Sequence, residues 1–321
     1  MENQLQKTAF KKAGTERQMA SNVLAIAHLI LPIIFAVCGL ALSLKSSHWA
    51  MWFSGQLLLG IFFFQCFILL HETGHYSFFK SRMLNKIFGH VFGFLSFIPF
   101  KSWTAIHNLH HRWTGWRDKD PTTEGTVSSE FSRLTSALVN VSWRIGFPLF
   151  TIGYRLGNYW NRTKLKKYLP EAKLNGVFRN QVFLLALYAA IFVLFGKWIL
   201  VNLGLAYFFS LMISDIIILS QHSHIDIPVS GGEDVQPVRY VEQIPYTRSL
   251  GFNAVFARMI LLNFNLHELH HAQPGVPAYH LDKVALETPN TRDFRKYLLA
   301  AKKMKGVDFV FKTTSKTGLK I

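Results

Sequence analysis

The sequence predicts an all-α membrane protein: four transmembrane helices carrying a cytoplasmic histidine-rich cap, with further helices lying in the membrane interface. Three observations predict it. Half of the 321 residues are hydrophobic and 17% are charged, and the charges leave long apolar runs between basic segments. His107-Asn-Leu-His-His111 and His267-Glu-Leu-His-His271 both place imidazoles at i, i+3 and i+4, which share one face of a helix. When the chain is threaded through four spans, 33 of its 35 Lys and Arg fall on one side, as the positive-inside rule requires.

In chain order, residues 1–20 are polar and basic and read as a retained cytoplasmic tail. The apolar run that follows is too long for a signal peptide. The spans are expected at about 22–44, 49–70, 180–195 and 199–219, each pair joined by a short turn. The first turn is Lys45 to His48; the second is Gly196-Lys197-Trp198. The second span ends in His71-Glu-Thr-Gly-His75, a further histidine pair on one face.

Residues 83–100 are nearly apolar enough to cross. A crossing there would put His71 and His75 on the opposite side of the membrane from His107, so an interfacial or re-entrant piece is expected instead. Pro99 breaks it, and Ser102 is the expected cap of the helix bearing the second motif. Arg112 to Thr126 reads as a loop, and residues 131–154 as another interfacial helix. The fourth span ends in Gln221-His-Ser-His224. A loop runs to Thr247, and Pro274 to Pro277 closes the third motif. The domain division is a tail (1–20), a membrane unit (21–285) and a basic cytoplasmic tail (286–321).

A net charge of +17 suits nucleic acid as well as a membrane face, but no nucleic-acid motif accompanies it, so no nucleic-acid partner is expected. Cys38 and Cys66 lie inside apolar runs, which points to packing rather than a disulfide framework. Metal transport would require polar residues along several spans, and only Asp215 stands out.

An all-nitrogen donor set suits iron, zinc or copper. Eight to ten histidines exceed one metal's needs, so two metals are the economical reading. Such a pair can activate water for hydrolysis or O2 for oxidation. Imidazole ligands need acceptors to orient them, and Glu72, Asp118, Asp120, Asp215 and Glu268 are the candidates. Asp215 is included because an acid inside a span is costly and lies two helical turns before His222. Arg112, Trp113, Trp116 and Arg117 are candidates for contact with a head group or an electron donor, weighed against an interfacial belt.

HETGH, then HNLHH about thirty residues later, then HELHH near the C-terminus resembles the integral-membrane fatty acid desaturase superfamily. Asp118-Lys-Asp-Pro121 and Pro274-Gly-Val-Pro277 also resemble that group, and the likeness covers roughly residues 50–285. It implies a non-haem diiron centre that uses O2 and two external electrons to oxidise an acyl chain. Carried onto this chain, the metal ligands are His71, His75, His107, His110, His111, His267, His270 and His271. A ninth is His222, with His224 as the alternative. The resemblance implies desaturation of a fatty acid or membrane lipid. The same scaffold serves hydroxylases, ketolases and decarboxylases, and a zinc-dependent membrane hydrolase is the alternative of another class. No haem motif or cysteine cluster is present, so the expected donor is a separate ferredoxin, rubredoxin or cytochrome b5-type protein. The absence of retrieval or transit signals leads to the expectation of a bacterial inner membrane, with both termini cytoplasmic.

Overall fold

The computed structural model describes residues 20–45, 48–127, 130–284 and 290–321. The expected N-terminal tail therefore lies, but for its last position, outside the described residues. The described residues are mainly helical, joined by loops and turns, with one two-residue pairing of parallel strands.

Helices α1 (Asn22–Lys45) and α2 (Trp49–Gly74) are the two longest apolar helices before residue 100. They pack antiparallel through small residues. A Cβ on Gly39 would meet Leu59 at 2.7 Å, and one on Gly55 would meet Ser43 Oγ at 2.5 Å. Only glycine lets the two backbones approach this closely. The outer face of α1 (Ile26, Ile30, Ile33, Val37) is exposed. A bilayer is the solvent such a surface needs.

After α2 come α3 (Arg82–Leu95) and α4 (Phe100–Trp113), which meet at 102°. Phe97 adopts a left-handed φ of 55° at the corner. Pro99, not Ser102, is the residue preceding α4; Ser102 lies inside the helix with its Oγ buried and unpaired. Pro99 is extended, with ψ 117°, and its carbonyl accepts the first helical bond from Trp103 N–H at 2.9 Å, so its missing N–H costs the helix nothing. Arg155 clamps the corner by donating to the Ser96 carbonyl at 2.8 Å.

Two shorter helices follow, α5 (Arg133–Ile145) and α6 (Leu149–Arg155), separated by Gly146 in the left-handed region. α6 runs into a π turn, Leu156–Trp160, and then α7, Arg162–Tyr168. Next, α8 (Glu171–Ile199), a second π turn (Leu200–Gly204) and α9 (Leu205–His222) form one helical run of 52 residues. The expected turn at Gly196–Trp198 is therefore helical. Tyr188 stacks on Phe97 at 4.6 Å, and Tyr207 lies tilted against the same ring at 4.8 Å. A straight helix would hold those two tyrosines roughly 28 Å apart along its axis. The run is therefore bent. Gln56 of α2 makes this possible by donating to the Asn202 carbonyl (2.8 Å) and accepting from Ala206 N–H (3.0 Å). Both groups are left without helical partners by the π turn and need one in apolar surroundings.

By length and composition, three helical runs can cross a membrane: Asn22–Lys45, Trp49–Gly74 and Glu171–His222. The bent pair α3–α4 makes a fourth if counted as one.

The remaining chain builds the cap. It comprises β1 (Leu250–Gly251), α10 (Ala254–Met259), α11 (His267–Ala272), α12 (Ala278–Leu281), β2 (Arg292–Asp293), α13 (Phe294–Lys303), α14 (Gly306–Phe311) and α15 (Thr314–Thr317). β2 pairs in parallel with β1, and α14 packs on α5 with Phe309 stacked 4.4 Å from Trp143.

Candidate metal centre

All three histidine motifs meet under the ends of α2, α4 and α9. His71 is in the last turn of α2 and His75 follows its end. His107, His110 and His111 lie on the buried face of α4. His222 is the last residue of α9, and His267, His270 and His271 occupy α11. The α11 helix is six residues long, and left-handed Leu262 and Asn263 turn the chain into it.

The nine imidazoles fall into two groups. His71, His75, His107, His111 and His270 form one; His110, His222, His267 and His271 form the other. Within each group the donor nitrogens lie within 4.8 Å of one another. The structure thus brings together all nine histidines named from the sequence. It leaves out His224, whose ring bonds Thr317 Oγ1 at 2.7 Å and whose backbone is left-handed. That backbone turn swings its side chain away from the α9 axis toward α15.

Charge and hydrogen bonding suit a cation at each group. Burial drives the His75 imidazole down to about 3, with the neighbouring His71 adding to the effect. Burial first, and neighbouring imidazoles second, hold His267, His270 and His271 well below the usual range. These rings are neutral at physiological pH and present lone pairs. Four Nδ1 atoms are tied outward: His71 to Glu72 (3.0 Å), His110 to Asp120 (2.7 Å), His222 to the Tyr246 carbonyl (3.0 Å) and His271 to Gln243 Oε1 (2.9 Å). That fixes the opposite nitrogen, Nε2, toward the group. Nε2 of His71 and of His271 is buried with no hydrogen-bond partner. A bound cation would satisfy both.

The spacing narrows the geometry. Nε2 atoms approach at 2.9 Å (His75–His107), 3.0 Å (His107–His111), 3.0 Å (His111–His270) and 2.9 Å (His222–His267). Ligands about 2.0–2.1 Å from one ion lie about 2.8–3.0 Å apart at right angles, and about 3.3–3.4 Å apart in a tetrahedron. The donors therefore fit a high-coordinate ion. Five nitrogens in the first group also exceed a tetrahedral zinc site.

Of the five acids expected to orient ligands, two do so. Asp120 also accepts from Thr122 N–H and Oγ1, at 2.8 and 2.9 Å. Burial alone would raise its carboxyl; the His110 charge and these bonds bring it below the usual range. Glu72 spans from His71 to the Ala278 amide (2.8 Å) and so ties α2 to α12. The other three are corrected. Asp118 accepts from Ser230 N–H at 2.9 Å, because it sits on the outer side of its loop. Asp215 accepts from Thr151 N–H at 2.6 Å, joining α9 to α6. Glu268 points from the back of α11 and accepts from Asn290 N–H (2.8 Å) and Thr291 Oγ1 (2.9 Å). Sequence reasoning missed Gln243 and the Tyr246 carbonyl. Both lie in a loop with no spacing pattern to mark them.

A cavity of about 440 Å3 opens beside the histidines. Phe67, Trp103, Leu149, Phe150, Ile218 and Phe264 line it, together with His71, His107, His110, His222 and His267. Its wall is mainly apolar, so it suits a hydrocarbon chain laid against the metal groups.

The sequence matches the family described as fatty acid desaturase over residues 47–299. Among characterised proteins, it is 27% identical over 245 residues to a probable fatty acid desaturase of Sorghum bicolor, covering 73% of this chain and 62% of that one. It is 23% identical over 266 residues to a temperature-sensitive sn-2 acyl-lipid omega-3 desaturase (ferredoxin) of the Arabidopsis thaliana chloroplast, covering 78% and 58%. A chloroplastic omega-3 fatty acid desaturase of Sesamum indicum is 23% identical over 252 residues, covering 73% and 54%. The chain spans between half and two thirds of the length of these relatives. Their names place two of them in plastids and lend no support to a bacterial inner membrane; the apolar runs support a membrane protein.

Proposed function

Because this chain belongs to the fatty acid desaturase family, we propose that it is an oxidoreductase that desaturates an acyl chain at a histidine-held diiron centre. The observation that carries the reading is the pair of buried imidazole groups, five and four strong, on the wall of an apolar cavity. The first iron is assigned to His71, His75, His107, His111 and His270, and the second to His110, His222, His267 and His271. Bound iron would supply the oxidising power: one O2, two external electrons and two protons, with two hydrogens taken from neighbouring carbons, give an alkene and two waters.

The residues of the chain do the rest. Glu72, Asp120, Gln243 and the Tyr246 carbonyl hold the imidazoles in the tautomer that faces inward. Trp103, stacked 4.2 Å from His107, fixes that ring's plane. Phe67, Phe150 and Phe264 exclude water and confine the chain, so that one pair of carbons lies near the metals. The two electrons come from a separate donor protein, in line with a relative named for ferredoxin. The basic membrane face favours an acidic one. In this reading Glu171–His222 passes the membrane twice, which gives four spans and places both termini with the histidines on the cytoplasmic side.

Metal analysis of the detergent-purified protein tests the assignment. Two irons per chain are expected, lost in His107→Ala/His111→Ala, with O2-dependent appearance of unsaturated acyl chains in the host membrane. Hydroxylated or shortened products would move the reaction to another member of the same chemistry. Stoichiometric zinc from iron-replete cells, with no O2-dependent product, would replace the reading with a hydrolase.

A further inference from the structure

The cavity beside the histidines is mainly apolar, and the loop that follows the second motif supplies part of its wall. Arg117 stands in that wall. It is 7% exposed. Its Nε donates to Thr126 Oγ1 (2.8 Å), and its Nη2 donates to the carbonyls of Thr126 (3.0 Å) and Val310 (3.3 Å). Every one of these acceptors is neutral. Nη1 makes no hydrogen bond among the described residues, and no carboxylate oxygen there lies within 4.0 Å of the guanidinium. Burial lowers its pKa and no neighbouring acid opposes that effect. A buried cation without a counter-ion is costly.

Lys164, on the same cavity wall, pairs with Glu124 at 3.2 Å, but Glu124 is shared with Lys167. The wall is left with an excess of positive charge. Arg117 also lines a second, outer cleft of about 380 Å3. Lys316 and Asp226 face that cleft, and Asp226 accepts from Ser315 N–H at 2.9 Å. Arg117 thus lines both the chamber that reaches the histidines and this second cleft.

We propose that Arg117 is the docking point for an oxyanion on the acyl substrate, a carboxylate or a phosphate, with the hydrocarbon running from it along the cavity to the histidine groups. The inference rests on the acyl-oxidation reading and narrows it to anionic substrates. With Nε and Nη2 already engaged, Nη1 keeps its hydrogens for a charge-assisted bond to an oxyanion oxygen. Lys164 adds longer-range attraction.

The test uses the full-length, metal-loaded protein in detergent. Its probes share one oleoyl chain: oleate, 1-oleoyl lysophosphatidate and oleyl alcohol. Equilibrium binding is measured for the wild type, Arg117→Gln and Lys164→Gln. The Arg117→Gln change keeps a donor for the Thr126 and Val310 carbonyls and removes the charge. The wild type is expected to bind at least one anion roughly tenfold or more tightly than the alcohol, the scale of a hydrogen bond to a charged group. Arg117→Gln should erase that preference while alcohol binding stays within about twofold, and Lys164→Gln should weaken it. Whichever anion binds better identifies carboxylate or phosphate as the source. Equal binding of acid and alcohol by the wild type overturns the proposal and needs no variant to fold. An undiminished preference in a normally melting Arg117→Gln does the same. Failure to bind any of the three probes, the alcohol included, would overturn the acyl-oxidation reading together with it.

Discussion

At the scale of single residues, the metal groups depend on what holds the outward nitrogen of each ring. Asp120 and Asp118 are two residues apart and chemically alike, yet only Asp120 reaches an imidazole. Asp120→Asn should therefore lower iron affinity by about 10–100-fold, the usual cost of losing an acceptor behind a ligand, with the loss in the group containing His110. Asp118→Asn should leave iron content unchanged. Iron per chain across a chelator titration separates the two, and equal losses would count against the assignment. Eight of the nine histidines were legible because i, i+3, i+4 or i, i+4 spacing forces a shared face whatever the rest of the fold does; His222 was named from the family resemblance. Gln243 was not legible: it meets His111 and His271 from 132 and 28 residues away, and no local pattern encodes such a meeting. His224, the alternative ligand, is turned toward Thr317 by a left-handed φ two residues past the end of α9, which composition does not reveal.

Among the elements, apolar length predicted α1, α2 and the α8–α9 run well, since an unsatisfied backbone group in hydrocarbon is costly enough to enforce helix. The same physics explains the misplaced turn. Gly196-Lys197-Trp198 looks like a break, but leaving the helix there would orphan backbone groups, and the chain stays helical until Gln56 can receive it. Gln56→Leu should orphan Asn202 C=O and Ala206 N–H at the π turn and cost about 2 kcal/mol or more. It should lower the melting temperature in detergent. A Leu variant that melts with the wild type would show that the bend is held by something other than this side chain. The corner between α3 and α4 was anticipated from Pro99 and from the need to keep two histidine motifs on one side; its 102° angle was not.

For the whole molecule, the distribution of Lys and Arg makes a claim about sidedness that single-cysteine labelling can check. With Cys38 and Cys66 replaced by Ala, Lys197→Cys and Lys312→Cys should react with a membrane-impermeant maleimide from opposite faces of sealed vesicles. Labelling of both from one face would remove the double passage of Glu171–His222. The fold class was legible because composition and charge bias act over the whole chain. The packing of residues 290–321 onto the cap was not, because the contacts that attach it, Leu250 to Arg292 and Trp143 to Phe309, join segments far apart in sequence.

That attachment has a consequence for biosynthesis. Glu268 braces α11 from behind and takes its hydrogen bonds from Asn290 and Thr291, residues translated after every ligand. The spans can enter the bilayer one by one as they emerge, but the short helix bearing three of the ligands gains its brace only when the last tenth of the chain arrives. Stable metal binding is therefore expected only once the chain is complete. A chain stopped after residue 284 should reach the membrane in normal amount and carry less iron than the full one.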